Sequence, residues 1–291
     1  DIFVPVDRGP LVYFERIEMR GNAKTRDKVL RRELEVEEGE LFHETKLEQS
    51  KRRITALGYF ERVDISTEEG SAPDKMQVNI EVTERPTGTF QVGAGFSSIE
   101  NFIATAQVQQ ANLFGNGQSL SLQAQVSGLR QMVDLRFYEP YFLDSNFSAS
   151  SDLFDQLRIY NDFSESTRGG SLTFGYPIAE PYLSASVAYT AELNDVSTQT
   201  TSTLLGQTGG TSVFRQLPLA NLFNDGFTSS VRPALTFDTR DNRLFPTAGV
   251  YLRGSSELPA AGFGSDHEFL RQRGVARFYY PLGAGIVAKL N

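Results

Sequence analysis

Most of the chain after residue 86 consists of short segments in which apolar and polar residues alternate. Residues 119–127 show the pattern most clearly, because leucine, alanine and valine occupy the even-numbered positions and serine and glutamine the odd-numbered ones. Since successive side chains of a β-strand point to opposite faces, this period of two predicts a strand with one apolar face. The same pattern recurs in residues 90–97, 133–138, 183–190 and 271–280. About eleven such segments, each of roughly 8–12 residues, predict an antiparallel sheet of about eleven strands.

The polar face of these segments carries Ser, Thr, Gln, Gly and Arg. A soluble β-sandwich, the alternative, would place Lys and Glu on its solvent-facing side. The composition therefore favours a transmembrane β-barrel whose apolar face contacts lipid and whose polar face lines an aqueous interior. Aromatic residues near the segment ends fit the interfacial girdles of such a barrel. They are Tyr138, Tyr141, Phe142, Phe147, Tyr176, Tyr182, Phe245, Tyr279 and Tyr280.

The first 85 residues show a different pattern, in which the period changes several times. Alternation predicts a first strand over residues 12–20, closed by a Gly-Asn turn. Residues 25–34 have a helical period with Thr25 as the expected N-cap, and a second helix begins at the capping box Thr45-Lys46-Leu47-Glu48 and ends at Gly58. Two further strands follow, over residues 60–67 and 75–84. The predicted order is β-α-α-β-β.

Charge divides the chain at the same place. Residues 12–85 are densely charged, whereas residues 86–291 contain a single lysine and most of the 25 glycines. The chain lacks cysteine, which excludes disulfides and cysteine nucleophiles, and it has only two histidines. A formal net charge of -8 argues against a nucleic-acid partner. We therefore expect a mixed fold: an α+β domain at residues 12–85 and an antiparallel transmembrane β-barrel, present in part, at residues 86–291.

Several motifs carry a resemblance to a known family. Gly21-Asn22, Arg31-Arg32-Glu33-Leu34 and Leu57-Gly58-Tyr59-Phe60 resemble a polypeptide-transport-associated (POTRA) domain of the outer-membrane assembly factor BamA family. The motifs Asn112-Leu113-Phe114-Gly115-Asn116-Gly117 and Glu139-Pro140-Tyr141-Phe142, and the segment from Asp238 to Gly249, resemble the barrel of the same family. Residues 1–11 are similar to the end of a preceding POTRA domain.

The resemblance also implies that the chain is incomplete. Barrels of the family have about sixteen strands, and an open sheet edge in lipid is costly because its backbone hydrogen bonds are lost. The family's Val-Arg-Gly-Phe loop and aromatic C-terminal strand have no counterpart in this sequence. We therefore expect a fragment that does not insert alone as a closed barrel, and heat-modifiable migration on a cold gel would contradict this.

Candidate catalytic residues have simpler explanations. Asp238, Arg240, Asp241 and Arg243 are expected to form a salt-bridge network and not a metal or acid/base site. His267, with Ser255, Ser256 or Ser265 nearby, is the single candidate base of a barrel hydrolase, but no nucleophile motif surrounds it. An exposed hairpin-tip histidine is the simpler interpretation. The sequence therefore predicts no enzyme activity, no cofactor and no metal site.

The resemblance implies a mechanical function: folding and inserting β-barrel proteins into the outer membrane by strand templating at a lateral gate. The alternative is a secretion transporter of the same superfamily that exports a partner through the barrel lumen. Implied partners are unfolded outer-membrane proteins, periplasmic accessory lipoproteins and outer-membrane lipid, with the POTRA domain in the periplasm. The first barrel strand would dock the substrate, through Thr89, Phe90, Gln91, Val92, Gly93, Ala94, Gly95, Phe96 and Ser97. A second edge strand in the POTRA domain would be formed by Glu61, Arg62, Val63, Asp64 and Ile65.

Two explanations of the glycines in the first barrel strand stay open. Gly93 and Gly95 weaken side-chain packing and so lower the free energy of opening the strand pair. Alternatively, they relieve crowding where the barrel curves.

Overall fold

The computed structural model describes residues 11–160, 163–198, 225–283 and 286–291. These residues form two compact units. The first unit contains the chain up to Thr89 together with Gln110–Ser119, and the second contains Phe90–Gln109 and Leu120–Asn291. The POTRA remnant predicted at residues 1–11 lies, apart from Leu11, outside the described residues.

The first unit contains the predicted α+β domain, and its β-α-α-β-β order is confirmed. Its elements are β1 (Tyr13–Arg20), α1 (Asp27–Arg31), α2 (Glu44–Ala56), β2 (Phe60–Glu69) and β3 (Lys75–Glu84). Strand β3 lies in the middle of a three-stranded sheet, parallel to β1 and antiparallel to β2. Within the described residues, no helix is both long and apolar enough to cross a membrane.

Both predicted helix caps are wrong. Helix α1 begins at Asp27 after Arg26, and α2 begins at Glu44 after His43, and neither preceding residue caps its helix with its side chain. Thr25 is instead almost fully buried and is hydrogen-bonded outside the helix. The Gly58 prediction is confirmed, because Gly58 follows α2 with a φ of +73°. At α1, a tertiary contact of Thr25 thus replaced the local capping chemistry.

The hydrophobic core of the described chain lies in the first unit. Helix α2 contributes Leu47 and Ile54, which pack over the sheet, and the remaining members come from the strands and the α1 region. The buried cluster consists of Phe14, Ile17, Leu30, Val36, Leu47, Ile54, Phe60, Val63, Val78, Ile80 and Val82. Outside this unit, Ala188 and Ala234 are the buried apolar residues of the described chain.

The second unit contains most of a sheet of eleven strands, as the alternation predicts. Neighbouring strands in the sheet are also neighbours in the sequence, from β4 at one edge to β14 at the other. The bounds are β4 Gly88–Ser97, β5 Asn101–Leu113, β6 Gln118–Ser127, β7 Arg130–Glu139, β8 Ser148–Ile159, β9 Phe163–Ala179, β10 Leu183–Thr198, β11 Gly226–Asp238, β12 Gly249–Pro259, β13 Arg271–Gly283 and β14 Ile286–Leu290. The sheet is antiparallel and is not closed within the described residues. It forms a partial barrel.

The apolar face of this sheet is not covered by a second layer of the described residues. Leu122, Val126 and Val133 are each more than 40% exposed, and the same holds for Leu153 and Leu172. A soluble sandwich would bury these side chains against a second sheet. That alternative is therefore wrong for the described part of the chain, and the transmembrane interpretation of the apolar face explains the exposure.

Aromatic residues predicted near strand ends lie there, and three of them contact other aromatic rings. The rings of Phe147 and Tyr176 have centroids 4.7 Å apart, and those of Phe142 and Phe174 are 5.8 Å apart. Such pairs form where neighbouring strands bring large side chains onto one face. Their placement fits the girdle that the sequence predicts.

Candidate strand-docking sites

The first candidate site is β4, which lies at the edge of the eleven-stranded sheet. Among the described residues, β5 is the strand that neighbours β4, so one side of β4 presents free backbone N–H and C=O groups. Its side chains are exposed as well: Phe90, Val92 and Phe96 are 71%, 69% and 79% exposed. An edge with free backbone groups and uncovered apolar side chains is suited to pair with an incoming strand. The docking role of Thr89 to Ser97 stays a prediction.

The two glycines of β4 have different surroundings. A Cβ on Gly93 would lie 2.7 Å from the hydroxyl oxygen of Thr105, which faces it from β5. Gly95 has no heavy atom within 4 Å of the same position. Crowding therefore explains the glycine at 93, whereas at 95 the missing side chain only reduces packing.

The second candidate site is β2, which lies at an edge of the α+β sheet as predicted. Val63 points into the core at 7% exposure, so its side chain is not available to a partner. Arg62 and Asp64 form an exposed ion pair of 2.5 Å on the opposite face. Charged side chains on an edge strand discourage non-specific pairing. A partner at β2 would therefore contact the backbone edge together with Glu61, Arg62 and Asp64.

The sequence reasoning missed the function of the turn at residues 112–117, which packs within the first unit. The Asn112 side chain donates a hydrogen bond to the Thr25 hydroxyl, 2.8 Å away, and accepts one from the Gly117 backbone N–H at 2.8 Å. The Arg26 backbone N–H donates to the Gly115 carbonyl oxygen at 3.0 Å. Two more hydrogen bonds reach the turn carbonyls, from Arg32 to Asn116 and from Tyr59 to Gly117. The motif was recognised as a family resemblance, but a local pattern contains no information on its partners.

The glycines of this turn are required by its conformation and by close contact. Gly115 has a φ of +73° and Gly117 a φ of +78°, in the left-handed region that favours glycine. A Cβ on Gly115 would collide with the Lys24 carbonyl oxygen, and one on Gly117 would collide with the Arg32 guanidinium. Replacing Gly115 would therefore separate the turn from the α+β domain, whereas at Gly117 the Arg32 side chain can move aside and the cost is mainly backbone strain.

A carboxylate at the end of β3 holds the loop before α1. Glu84 accepts hydrogen bonds from the backbone N–H groups of Lys24, at 3.0 Å, and Thr25, at 2.6 Å. Partial burial raises the pKa of Glu84, but the hydrogen bonds from Thr25 and Lys24 outweigh it and hold the pKa below its usual value. The ionised form of Glu84 is therefore favoured in the folded domain.

This linkage predicts an acid-sensitive contribution to stability. Because the folded pKa of Glu84 is lowered, its contribution is complete above the unfolded value of about 4.3 and is lost as pH falls through the folded pKa. We expect Glu84→Gln to lower the melting temperature at pH 7 and to have less effect as the pH falls below about 4. Thermal unfolding of both proteins between pH 7 and pH 3 measures this. A difference that stays constant across this range would contradict the linkage.

The candidate catalytic residues are placed as structural groups. Arg240 makes two hydrogen bonds of 2.8 Å to the two carboxylate oxygens of Asp238, and Arg243 lies 3.8 Å from the same carboxylate, which confirms the predicted ion-pair network for these three residues. Asp241, the fourth predicted member, forms no ion pair among the described residues and accepts hydrogen bonds from its own turn instead. His267 lies in the connection between β12 and β13 and is half-buried, so the predicted exposed position is wrong. The Ser265 hydroxyl donates to the His267 backbone carbonyl, 3.1 Å away. The Ser265 hydroxyl thus contacts the backbone of His267 and not its imidazole. The arrangement does not have the geometry of a serine nucleophile activated by histidine.

Both units of the chain contain segments that match known protein families. A model of the Omp85 superfamily domain matches residues 112–290, and a POTRA model, described as a surface antigen variable number repeat, matches residues 12–85. The chain is 27% identical over 274 residues to the outer membrane protein assembly factor BamA of Nitratidesulfovibrio vulgaris, covering 93% of this chain and 33% of that protein. It is 33% identical over 188 residues to BamA of Neisseria meningitidis serogroup B, covering 62% of this chain and 24% of the relative.

The fold resembles a solved structure over nearly the whole chain. The crystal structure of BamA from Haemophilus ducreyi lacking POTRA domains 1–3 superposes with a TM-score of 0.70 at 23% sequence identity. The match covers 96% of this chain and 53% of that one. The chain thus spans about a third or less of the two curated relatives and about half of the solved structure.

Proposed function

This chain belongs to the Omp85 superfamily, in the family of the outer-membrane assembly factor BamA, and on that basis we propose that it folds and inserts β-barrel proteins into the outer membrane. The relatives are named for outer-membrane protein assembly, which supports this function over export through the lumen. The observation that carries the proposal is β4, a long exposed strand at a sheet edge.

In the proposed mechanism, β4 acts as a template for an incoming strand. Its free backbone groups pair with the terminal strand of an unfolded substrate, so that the donors and acceptors of both edges are satisfied in the membrane. The uncovered side chains of Phe90, Val92 and Phe96 add apolar contacts on one face. The open position at Gly95 contributes little packing to the existing strand pair, which lowers the free energy of exposing the edge. The mechanism is non-enzymatic and uses no cofactor or metal.

The remaining partners follow from the same assignment. The apolar face of the sheet contacts outer-membrane lipid, and the α+β domain lies in the periplasm as a POTRA domain. Its β2 edge, with Glu61, Arg62 and Asp64, is the proposed contact for periplasmic accessory lipoproteins or for substrate segments. Backbone pairing gives such an edge broad specificity, and the charged residues restrict which strands are accepted.

Disulfide trapping tests the templating role of β4. Single cysteines at residues 90–96, paired with cysteines in the terminal strand of a barrel substrate, are expected to cross-link in one register. Because neighbouring residues of paired strands come within disulfide distance only when they face each other, yields should alternate along β4. The measurement is the amount of mixed disulfide on a non-reducing gel during assembly.

Leu122→Cys is the matched control for this experiment. Leu122 is 43% exposed, but it lies in β6, which has β5 and β7 as its neighbours. It should therefore give only background cross-linking. Equal yields at Leu122 and in β4, or none at any position in β4, would refute strand templating. Cross-links that form instead at further single cysteines on the polar face of interior strands would favour export through the lumen.

A further inference from the structure

A cationic cavity of about 440 Å³ lies in the second unit, where the turn between β11 and β12 meets β13 and β14. This volume is in the range of small-ligand sites. The turn contributes Arg240, Arg243, Leu244, Phe245 and Pro246, and the strands contribute Arg277, Tyr279, Val287 and Lys289. Four of these nine lining residues are cations, and none is an acid.

The strand residues of the cavity share one face of the sheet. Tyr251 pairs with Arg277 across β12 and β13, and Tyr279 pairs with Lys289 across β13 and β14. The Arg277 guanidinium lies 5.6 Å from the centre of the Tyr251 ring, and the Lys289 ammonium lies 5.9 Å from that of Tyr279. The rings orient both cations while leaving their hydrogen-bond donors available, because a cation–π contact uses none of them.

The positive charge of the cavity is only partly neutralised. Asp238, beside the cavity, makes two hydrogen bonds to Arg240 and lies 3.8 Å from Arg243, and the Asp241 carboxylate accepts hydrogen bonds from backbone groups of its own turn. Within the described chain, neither Arg277 nor Lys289 forms an ion pair with a carboxylate. Lys289 is also the only lysine after Pro86, in a chain of net charge -8. An excess of positive charge at one place in an acidic chain attracts an anion of more than one charge.

The turn that carries two of the arginines is held in one conformation. The Asp241 carboxylate accepts hydrogen bonds from the backbone N–H groups of Asn242 and Thr247 at 2.9 Å and of Ala248 at 3.1 Å. These hydrogen bonds, together with a stronger one from the Thr247 hydroxyl, hold the pKa of Asp241 well below its usual range. The Asp241 carboxylate is therefore ionised at neutral pH and keeps the turn ordered. A turn ordered before binding loses little entropy when it holds a ligand.

The same turn exposes two large apolar residues beside the cations. Leu244 and Phe245 are 83% and 79% exposed, because the Asn242 side chain accepts hydrogen bonds from their backbone N–H groups and holds them at the turn surface. Apolar residues next to arginines give the cavity a nonpolar wall beside its cations.

We propose that this cavity binds a phosphate group, carried by a lipid headgroup or free in solution. Arginine forks match phosphate oxygens with two parallel hydrogen bonds, and Lys289 adds a point charge. A carboxylate has one charge and two oxygens, and would leave most of the donors without a partner. The site is separate from strand docking, since β4 and β14 lie at opposite ends of the strand order.

Binding of two probes to the full chain in a phosphate-free maltoside detergent tests the proposal. Inorganic phosphate and short-chain phosphatidylglycerol are titrated separately by calorimetry. The double variant Arg277→Gln/Lys289→Gln should weaken the binding at least about tenfold, since two charge-assisted contacts are lost. The single variant Arg243→Gln should weaken it several-fold, and its exposed side chain makes a folding defect improbable as an explanation.

The matched control is Arg253→Gln/Arg273→Gln, which removes the same charge from the same sheet face, in β12 and β13, outside the cavity. Its affinity should stay within about twofold of the unmodified chain. Binding of phosphatidylglycerol alone identifies a lipid headgroup, and binding of inorganic phosphate alone identifies a soluble ligand. Equal losses in the cavity and control variants, or no saturable binding of either probe, would overturn the proposal.

Discussion

Gly115→Ala is expected to detach the turn at residues 112–117 from the α+β domain. The new Cβ would collide with the Lys24 carbonyl oxygen, and alanine is also strained at a φ of +73°. Relieving the collision breaks the hydrogen bond from Arg26 to Gly115 and displaces the neighbouring bonds from Asn112 to Thr25 and from Tyr59 to Gly117. With about 1 kcal/mol for each hydrogen bond, the first unit should lose roughly 2–4 kcal/mol of stability.

The Arg26 backbone amide gives a local readout of this change. Hydrogen exchange at Arg26 should become faster, because its N–H loses the Gly115 carbonyl as acceptor. Gly39→Ala is the control, since Gly39 has a φ of +92° but no heavy atom within 4 Å of an added Cβ. It should show the cost of backbone strain alone. If the two variants destabilise the chain equally and leave Arg26 exchange unchanged, the turn does not depend on close contact at Gly115.

Phe14→Ala is expected to lower the free energy of unfolding of the α+β domain by about 3–5 kcal/mol. Phe14 is 1% exposed, and its ring lies 5.5 Å from that of Phe42 within the single hydrophobic cluster of the described chain. Truncation leaves a cavity that a small, well-packed domain cannot fill. Chemical denaturation followed by the far-ultraviolet helical signal measures the loss, because both described α-helices belong to this domain.

Phe114→Ala is the control for this truncation. Phe114 belongs to the same unit but is 81% exposed, so removing its ring should change stability by less than about 0.5 kcal/mol. A large effect at both phenylalanines would show that Phe114 is covered in solution. A small effect at Phe14 would contradict a core confined to the α+β domain.

The strands of this protein could be predicted well from the chain alone. Alternation over residues 75–84 gave the bounds of β3 to the residue, and the count of eleven segments equals the count of strands in the large sheet. These predictions succeed because strand period is local and each apolar face is continuous. Five strands of the large sheet, β5, β9, β10, β11 and β13, are 13–17 residues long and exceed the predicted range.

The helix starts and the candidate sites were less predictable. Thr25 has the chemistry of an N-cap, but the side chain of Asn112, 87 residues away, donates a hydrogen bond to its hydroxyl. Val63, in contrast, fills the core as the alternation of its strand indicates, so its side chain is unavailable at the predicted docking edge. At Thr25 a distant partner outcompeted the local preference, and a single sequence does not contain that information.

Local patterns thus established the division into an α+β domain and an eleven-stranded sheet, together with the apolar and polar faces of its strands. Spatial packing had to show that nothing among the described residues covers the apolar face, that the turn at residues 112–117 packs in the first unit, and that cations from three elements meet in one cavity. The reason is physical: periodicity is set by neighbouring residues along the backbone. Contacts between residues far apart in the chain are set by folding as a whole.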